Sequence, residues 1–420
     1  MNKTVLLVGA MDTKGEDFAH VKHLIEQQKV KTLVVDFGVL GDPVGITPDI
    51  PNSEVAEAGG ADIKTMRAEQ KKDFCMETMT KGLAKVVRKL YDEGKVDGVL
   101  GMAGTGGTSI ASAAMRTLPV GFPKIMVSTV ASEDVSAYVG TKDITMFPSI
   151  VDVAGLNRIS RLIYSNAVGA IVGMVKQKRP KIDASKPLIT ASMFGNTTKA
   201  VERARKQLEQ EGYEVLVFHS TGTGGKVMEG LTDDGLVNAS YDLTTTELAD
   251  FVCGGVMSAG PDRMMAAARK GIPTILVPGC VDMANFWGVE TMPAKYQQGR
   301  KLYKWNPNVT LMRTTVEENV KIGKLIAHAA NAHTTGKVAI LLPLKGVSML
   351  DSPGGEFWDA EADNACYSTI RKLVKSNIPV LEIDANINDP EFVDKTVQVL
   401  LALIKGETVQ PETATAAAQA

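Results

Sequence analysis

The chain has 420 residues, enough for two or three domains, and its 44% hydrophobic and 22% charged content is that of an ordinary globular protein. A formal net charge of −2 and the lack of a long basic run exclude nucleic acid as a main partner. No apolar run approaches the ~18 residues of a membrane span, and the four cysteines (Cys75, Cys253, Cys280, Cys366) form no Cys-x-x-Cys pair. The expectation is a cytoplasmic protein that needs neither membrane nor disulfides.

Residues 4–8 read as an apolar strand, 9–15 as a glycine-marked turn and 16–28 as an amphipathic helix carrying Phe18, Val21, Leu24 and Ile25 on one face. Residues 32–36 form the next strand, so the chain opens with a parallel strand–helix–strand unit. A Pro- and Gly-marked excursion over 41–72 is expected to hold a loop and short helices, and a long helix follows over 74–93.

The most informative stretch comes next. An apolar strand at 96–103 runs into Gly104-Thr105-Gly106-Gly107-Thr108-Ser109, and a helix is expected from about Thr108. Glycines leave backbone N–H groups uncovered, and the positive end of a helix dipole favours an anion, most often phosphate. The hydroxyls of Thr105, Thr108 and Ser109 can donate to phosphate oxygens or complete a magnesium shell. The stretch is neither a Walker loop, which needs a lysine after Gly107, nor a dinucleotide fingerprint, which needs glycine at Ser109. A close-packed strand–helix turn is the bland alternative.

Residues 123–129 form a further strand ending in Ser128 and Thr129, with Ser132 beyond. Alternating strands and helices with short turns predict an α/β fold of doubly wound, mainly parallel sheets. Ligands of such sheets sit beyond the carboxyl ends of the strands. Asp12, Thr13 and Lys14, the 104–109 turn, and Ser128, Thr129 and Ser132 are therefore expected to converge. Asp12 is a candidate cation ligand, Thr13 a phosphate contact and Lys14 a neutralising charge; an N-cap with a solvated lysine is the competing reading.

Residues 150–174 read as helical and 178–187 as a linker, after which the order begins again. A strand at 187–193, a helix at 199–211 and a strand at 215–218 repeat the opening. Residues 246–251 lead to a glycine stretch at 254–260, a helix at 263–270 and a strand at 273–277 that echoes 123–127. A strand at 338–342, a helix at 362–375, a strand at 379–383 and a helix at 391–405 enlarge this half. Two similar domains are expected, 1–183 and 184–405, with 406–420 a disordered tail.

Thr221-Gly222-Thr223-Gly224-Gly225, after a strand ending at His219, could bind an anion or hinge a lid. Asp282, Asn285, Arg300, Arg313, Asp351, Glu361 and Asp363 fall in loops or long connections; one or two are candidates to meet a substrate in a cleft between the domains, and most are expected to be surface or capping groups. Residues 256–260 miss the Gly-x-Ser-x-Gly elbow, and no metal motif is present. No nucleophile is evident.

Ordered motifs also carry a family resemblance. They are Ala10-Met11-Asp12-Thr13-Lys14, the 104–109 turn, Ser128-Thr129-Val130-Ala131-Ser132, Asp152-Val153-Ala154-Gly155-Leu156-Asn157 and the 221–225 turn. Thr244-Thr245-Thr246-Glu247, Leu311-Met312-Arg313-Thr314-Thr315 and Pro343-Leu344-Lys345-Gly346-Val347-Ser348 extend the set to most of the chain. The sequence resembles the family typified by the N-terminal ATP-binding domain of the tomato mosaic virus resistance protein, which has many bacterial members of unassigned activity. The resemblance implies two Rossmann-like domains, ATP (with Mg2+) at the N-terminal one, and a homodimer. Two positions depart from the family pattern: Glu133 replaces a glycine and Trp305 a histidine. The leading expectation is an ATP-dependent transferase or ligase, with a small, carboxylated metabolite in a cleft between the domains. The rival is a regulatory module in which ATP stabilises a protein-binding conformation. A nicotinamide enzyme, with Asp36 as ribose ligand, is the weakest reading.

Overall fold

A computed structural model describes residues 3–69, 71–178 and 185–411. The linker expected around 178–187 falls largely on residues 179–184, outside the described residues, as does most of the expected tail, 412–420. The chain divides into two units, Met1–Lys181 and Ile182–Ala420.

The first unit runs β1 (Thr4–Gly9), α1 (Met11–Gln27), β2 (Lys31–Asp36), α2 (Asn52–Gly59), α3 (Ile63–Glu69), α4 (Lys72–Asp92) and β3 (Gly98–Ala103). It continues with α5 (Thr105–Arg116), β4 (Lys124–Ser128), α6 (Ser136–Val139), β5 (Thr145–Pro148) and α7 (Arg158–Lys176). All five strands are parallel, in the order β2-β1-β3-β4-β5. Strands buried on both faces can be apolar at every position, and period-two alternation then divides their side chains between two helical layers. Val5 and Leu7 face α1 and α7 through Phe18, Val21 and Ile171. Leu6 and Val8 face α2, α4 and α5 through Val55, Leu83 and Ala111.

The second unit runs β6 (Leu188–Met193), α8 (Thr198–Gln210), β7 (Glu214–His219), α9 (Thr223–Asp233), β8 (Ala239–Thr244), α10 (Thr246–Cys253), α11 (Met265–Lys270) and β9 (Thr274–Gly279). Then follow β10 (Met283–Phe286), β11 (Leu302–Asn306), β12 (Val309–Arg313), α12 (Val316–Asn331), β13 (Val338–Pro343), α13 (Ala360–Leu373), β14 (Val380–Ile383) and α14 (Pro390–Lys405). Its main sheet, β7-β6-β8-β9-β13-β14, is parallel and repeats the first unit's order with one strand added. Both units are doubly wound Rossmann-like α/β sheets, as the alternation of elements predicts. Beyond α14, Val409 packs against the core, so ordered packing extends past residue 405.

The internal repeat is real in element order but differs in register from its sequence reading. The third strand of the second unit is Ala239–Thr244, a segment with Ser240 and Asp242 that lacks an apolar signature. Residues 246–253 are a helix, the counterpart of α5, and the 254–260 glycines follow it. An antiparallel sheet, β10-β12-β11, has no counterpart in the first unit and was not legible from alternation.

Helices α2 and α4 meet through glycines: a Cβ on Gly82 would lie 1.8 Å from the Val55 carbonyl oxygen, and one on Gly59 would lie 2.2 Å from that of Thr78. Alanine normally favours a helix interior over glycine by about 1 kcal/mol. Here the clash is with backbone and outweighs that gain. Gly82→Ala is expected to destabilise the protein by roughly 2 kcal/mol or more; denaturant unfolding that shows equal or greater stability would refute this packing.

Candidate functional site

In both sheets the chain order reverses between the first and third strands, and the crevice beyond their carboxyl ends is where open α/β sheets bind ligands. In the first unit this point lies beyond β1 and β3. α1 begins at Met11 and α5 at Thr105, so both predicted turns are shorter than the sequence suggested. Asp12, Thr13, Lys14, Thr105, Gly106 and Gly107 all sit in first helical turns.

Three glycine-marked helix starts were singled out by sequence, and their donors meet different fates. At α1 the Asp36 carboxylate accepts from Met11 N (2.9 Å) and Gly38 N (2.8 Å). Asp36 is turned inward as a helix cap, which removes it from the role of a ribose ligand. Burial pushes its carboxyl up to about 6, against the two backbone donors that favour the ionised form. At α9 the 221–225 turn holds the protein's own anion: Glu247 Oε1 accepts from Gly222 N (2.7 Å) and Gly225 N (3.0 Å). At α5 the N-cap is Gly104, in extended conformation, and among the described residues no side chain is hydrogen-bonded to the N–H of Thr105, Gly106 or Gly107. The first-turn N–H groups of α5 have no intrahelical acceptor, so this end keeps its donors and the positive end of its dipole.

The α5 start opens on a cleft of about 630 Å³ lined by Gly104, Thr105, Thr129, Ser132, Pro148, Ser149, Ile150, Val151 and Asp152. Of the predicted residues, Gly104, Thr105, Thr129 and Ser132 are thus brought together. Thr108 and Ser128 are buried just behind. Thr108 Oγ1 donates to the Gly104 carbonyl (2.9 Å) and lies 2.7 Å from Ser128 Oγ, which accepts from Val130 N (3.2 Å). One proton per hydroxyl makes Ser128 the donor to Thr108. These two groups fix the cleft's floor rather than line it. Ser109 bonds back to the Thr105 carbonyl at 3.3 Å, within the helix.

Gly106 and Gly107 face away from the cleft: a Cβ on Gly106 would approach Met76 at 3.6 Å, and one on Gly107 would meet Ala103 Cβ at 2.6 Å. Gly107 is therefore a packing position. Asp12 is turned to the loop after β2, where Oδ2 accepts from Leu40 N (2.7 Å) and Gly41 N (3.2 Å). Thr13 is exposed, and its hydroxyl lies 3.5 Å from the Ala10 carbonyl. Lys14 donates to the Val153 carbonyl, beside the cleft wall, and an ammonium there keeps two further donors.

The wall formed by residues 148–152 was not foreseen. Asp17, buried, holds it from behind by accepting from Gly155 N (3.0 Å) and Tyr164 Oη (2.9 Å). Ser149 N donates to the Ser128 carbonyl (3.1 Å), and Asn157 caps α7 through a capping box. Within this wall Ile150 adopts φ +65°, a conformation a β-branched residue avoids, and its side chain is 71% exposed. The family motif at 152–157 was the sequence signal for this segment. Glu133 is exposed and is not among the residues lining the cleft.

In the second unit the polar residues expected at the surface are mostly internal. Arg263, 2% exposed, pairs with both oxygens of Asp242 (2.6 and 2.7 Å) and with Glu247 (2.6 Å). Arg313 binds Asp363 (2.7 Å) and lies 3.7 Å from Asp351; Asp282, Asn285, Asp351 and Asp363 are buried. Burial raises the carboxyls of Asp282, Asp351 and Asp363, and mutual repulsion adds to the effect for Asp282 and Asp363. Arg300 pairs with Glu318 (2.6 Å). His219 packs edge-on against Phe194 (5.3 Å), and burial lowers its pKa. Trp305, on edge strand β11, covers the turn after β6, 3.1 Å from where a Gly195 Cβ would stand. Among the described residues no cluster of three or more His, Cys, Asp or Glu has metal-binding geometry, and no helix is long and apolar enough to cross a membrane.

Residues 3–180 match the N-terminal domain, and residues 186–404 the C-terminal domain, of the uncharacterised protein family UPF0261. The chain belongs to the UPF0261 family. It is 46% identical to a UPF0261 protein of Clostridium tetani, over 96% of this chain and all of that one. It is 37% identical to the ToMV resistance protein Tm-1(GCR237) of Solanum lycopersicum, over 95% of this chain but 55% of the tomato protein. A solved UDP-GlcNAc 2-epimerase from Neisseria meningitidis aligns with a TM-score of 0.25 at 12% identity, over 65% of this chain and 82% of that one; so distant a likeness bears on nothing further.

Two outcomes follow from the internal carboxylates. Arg263→Met leaves Asp242 and Glu247 buried without their counter-charge, and is expected to cost about 3–5 kcal/mol; a variant of unchanged unfolding midpoint would contradict the network. For Asp36 the folded carboxyl (about 6) lies above its usual 3.8. The folded state therefore holds a proton that the unfolded chain has lost, and its stability falls as pH rises from about 4 to about 6. Asp36→Asn keeps the acceptor for Met11 and Gly38 without the charge. Relative to the variant, the wild type should lose up to about 3 kcal/mol across that window, and parallel unfolding curves across it would count against the assignment.

Proposed function

We propose that the UPF0261 chain binds a nucleoside triphosphate, ATP with Mg2+, in the first unit's cleft, its phosphates on the N-terminus of α5. The observation that carries this reading is the contrast among the three glycine-marked helix starts. Two are neutralised by Asp36 and Glu247, and the third keeps its donors beside a hydroxyl-lined cleft. Thr105, Thr129 and Ser132 supply hydroxyl donors to phosphate oxygens. Asp152, the carboxylate among the lining residues, suits an Mg2+ that also takes phosphate oxygens. The resemblance to a family typified by an ATP-binding domain supports the choice of nucleotide. An ATP-dependent transferase or ligase acting on a small carboxylated metabolite is the activity that suits such a site, because phosphoryl chemistry asks chiefly for positioning and charge stabilisation.

Gly104 is the position to test. A Cβ there would meet only Thr129 Oγ1, at 3.8 Å, and the backbone is one that any residue adopts, so Gly104→Val should fold while its side chain covers the α5 donors. Calorimetric titration of the wild type is expected to give micromolar ATP binding that strengthens with Mg2+, with NAD as the weak control. Gly104→Val should lose at least tenfold in affinity, about 1.4 kcal/mol. A folded Gly104→Val protein that binds ATP as the wild type does would refute the cleft assignment.

A further inference from the structure

A second cavity, on the opposite side of α5's first turn, is absorbed by none of the above. Its volume is about 440 Å³, within the range of small-molecule sites, and its walls are apolar: Phe37 from the loop after β2, Met66 from α3, Met76 from α4 and Ile110 from α5. Cationic groups line it as well. Arg67 lies on α3, and Lys72 is the first residue of α4.

Three observations show that this is more than a gap in packing. First, the guanidinium is incompletely satisfied. Arg67 Nη1 pairs with Asp42 at 3.0 Å and Nη2 donates to the Gly41 carbonyl, but Nε is buried and meets no acceptor. A buried donor of this kind normally has a partner. Second, Lys72 makes no ion pair among the described residues, and it stands where the positive end of the α4 dipole adds to its charge. Third, Leu40 borders the cavity with its side chain 81% exposed, while its backbone is tied down by Asp12. An apolar side chain fixed at the mouth of an apolar cavity gains burial when the cavity is filled.

We propose that this cavity binds a small monocarboxylate with a bulky apolar body, aromatic or branched. The body packs among Phe37, Met66, Met76 and Ile110, and the carboxylate is held by Arg67 and Lys72. A neutral apolar molecule would leave the Lys72 ammonium unanswered. A highly polar anion such as free phosphate would not use the apolar walls. The inference stands apart from nucleotide binding, since none of the residues lining the cleft lines this cavity.

The test uses the full chain, labelled with 13C at the methionine methyls and free of nucleotide. It is titrated with 1-naphthylacetate and, separately, with its neutral isostere 1-naphthylacetamide. Met66 and Met76 resonances, assigned by Met→Leu substitution, should shift and saturate with the acid. The amide should bind at least tenfold more weakly. Lys72 is exposed and in a first helical turn, so Lys72→Gln should fold; it should weaken the acid severalfold and leave the amide unchanged. Gly106→Ala directs a methyl to within 3.6 Å of Met76 without a clash and should shift the affinity for both ligands. Equal affinity for acid and amide in the wild type would overturn the anionic part of the proposal. So would a Lys72→Gln variant that binds the acid as the wild type does. Absence of any Met66 or Met76 shift at millimolar ligand, or saturation seen only at other methionines, would overturn the site. Loss of ATP binding in Gly104→Val touches none of these outcomes, so the two proposals fail separately.

Discussion

A helix that leaves the carboxyl edge of a parallel sheet arrives with N–H groups that lack intrahelical acceptors and with a dipole aimed at whatever lies there. Those donors must be answered by water, by a side chain or by a ligand, and how this fold answers them organises much of the chain. In the first unit Asp36, at the end of β2, reaches across to the start of α1 and also binds Gly38, so one carboxylate ties the first helix to the loop after the second strand. In the second unit Glu247 reaches from α10 to the start of α9 and is itself held by Arg263. The start of α5 meets no such carboxylate among the described residues. The hydroxyl pair Thr108–Ser128 ties α5 to the end of β4 behind it, and Asp17 holds the opposite wall.

The two units share a sheet order but spend their polar residues differently. The first keeps its hydroxyls at an open cleft. The second buries Arg263 among Asp242, Glu247 and Glu229, and Arg313 among Asp363, Asp351 and the Phe357 carbonyl. Buried ion networks of this sort add little net stability over apolar packing, yet breaking one member leaves an uncompensated charge. Their effect is to define which loops meet. Arg313, at the end of β12, binds groups from the segment before α13 and from the first turn of α13, and so joins the added antiparallel sheet to the main one.

Sequence periodicity succeeded where a segment's burial is uniform along its length. β1, β2, α4, α8 and α14 were legible within a few residues because apolar side chains recur at the spacing of a strand or of one helical face. It failed where polar side chains are internal. β8 carries Ser240 and Asp242 into the core because Thr190, Ser192 and Arg263 receive them, and no local pattern announces those partners. The helix starts were placed too late at both glycine turns for a related reason. Glycine and threonine are weak helix formers, but a first turn needs no propensity of its own when tertiary contacts set the chain's direction.

From its sequence alone this chain was determined to be two doubly wound α/β units, with a glycine-rich turn after a central strand. Both properties are local: strand–helix alternation, and the scarcity of Cβ atoms over residues 104–107. Which of several similar turns keeps its donors was decided only in three dimensions. Asp36, Asp17 and Glu247 look alike in sequence to any surface carboxylate, and their partners lie 25, 138 and 25 residues away along the chain. The tertiary fold brings each to its backbone donors and brings none to α5, because a carboxylate goes where its desolvation is repaid by hydrogen bonds, and that place is defined by the whole chain rather than by its neighbours.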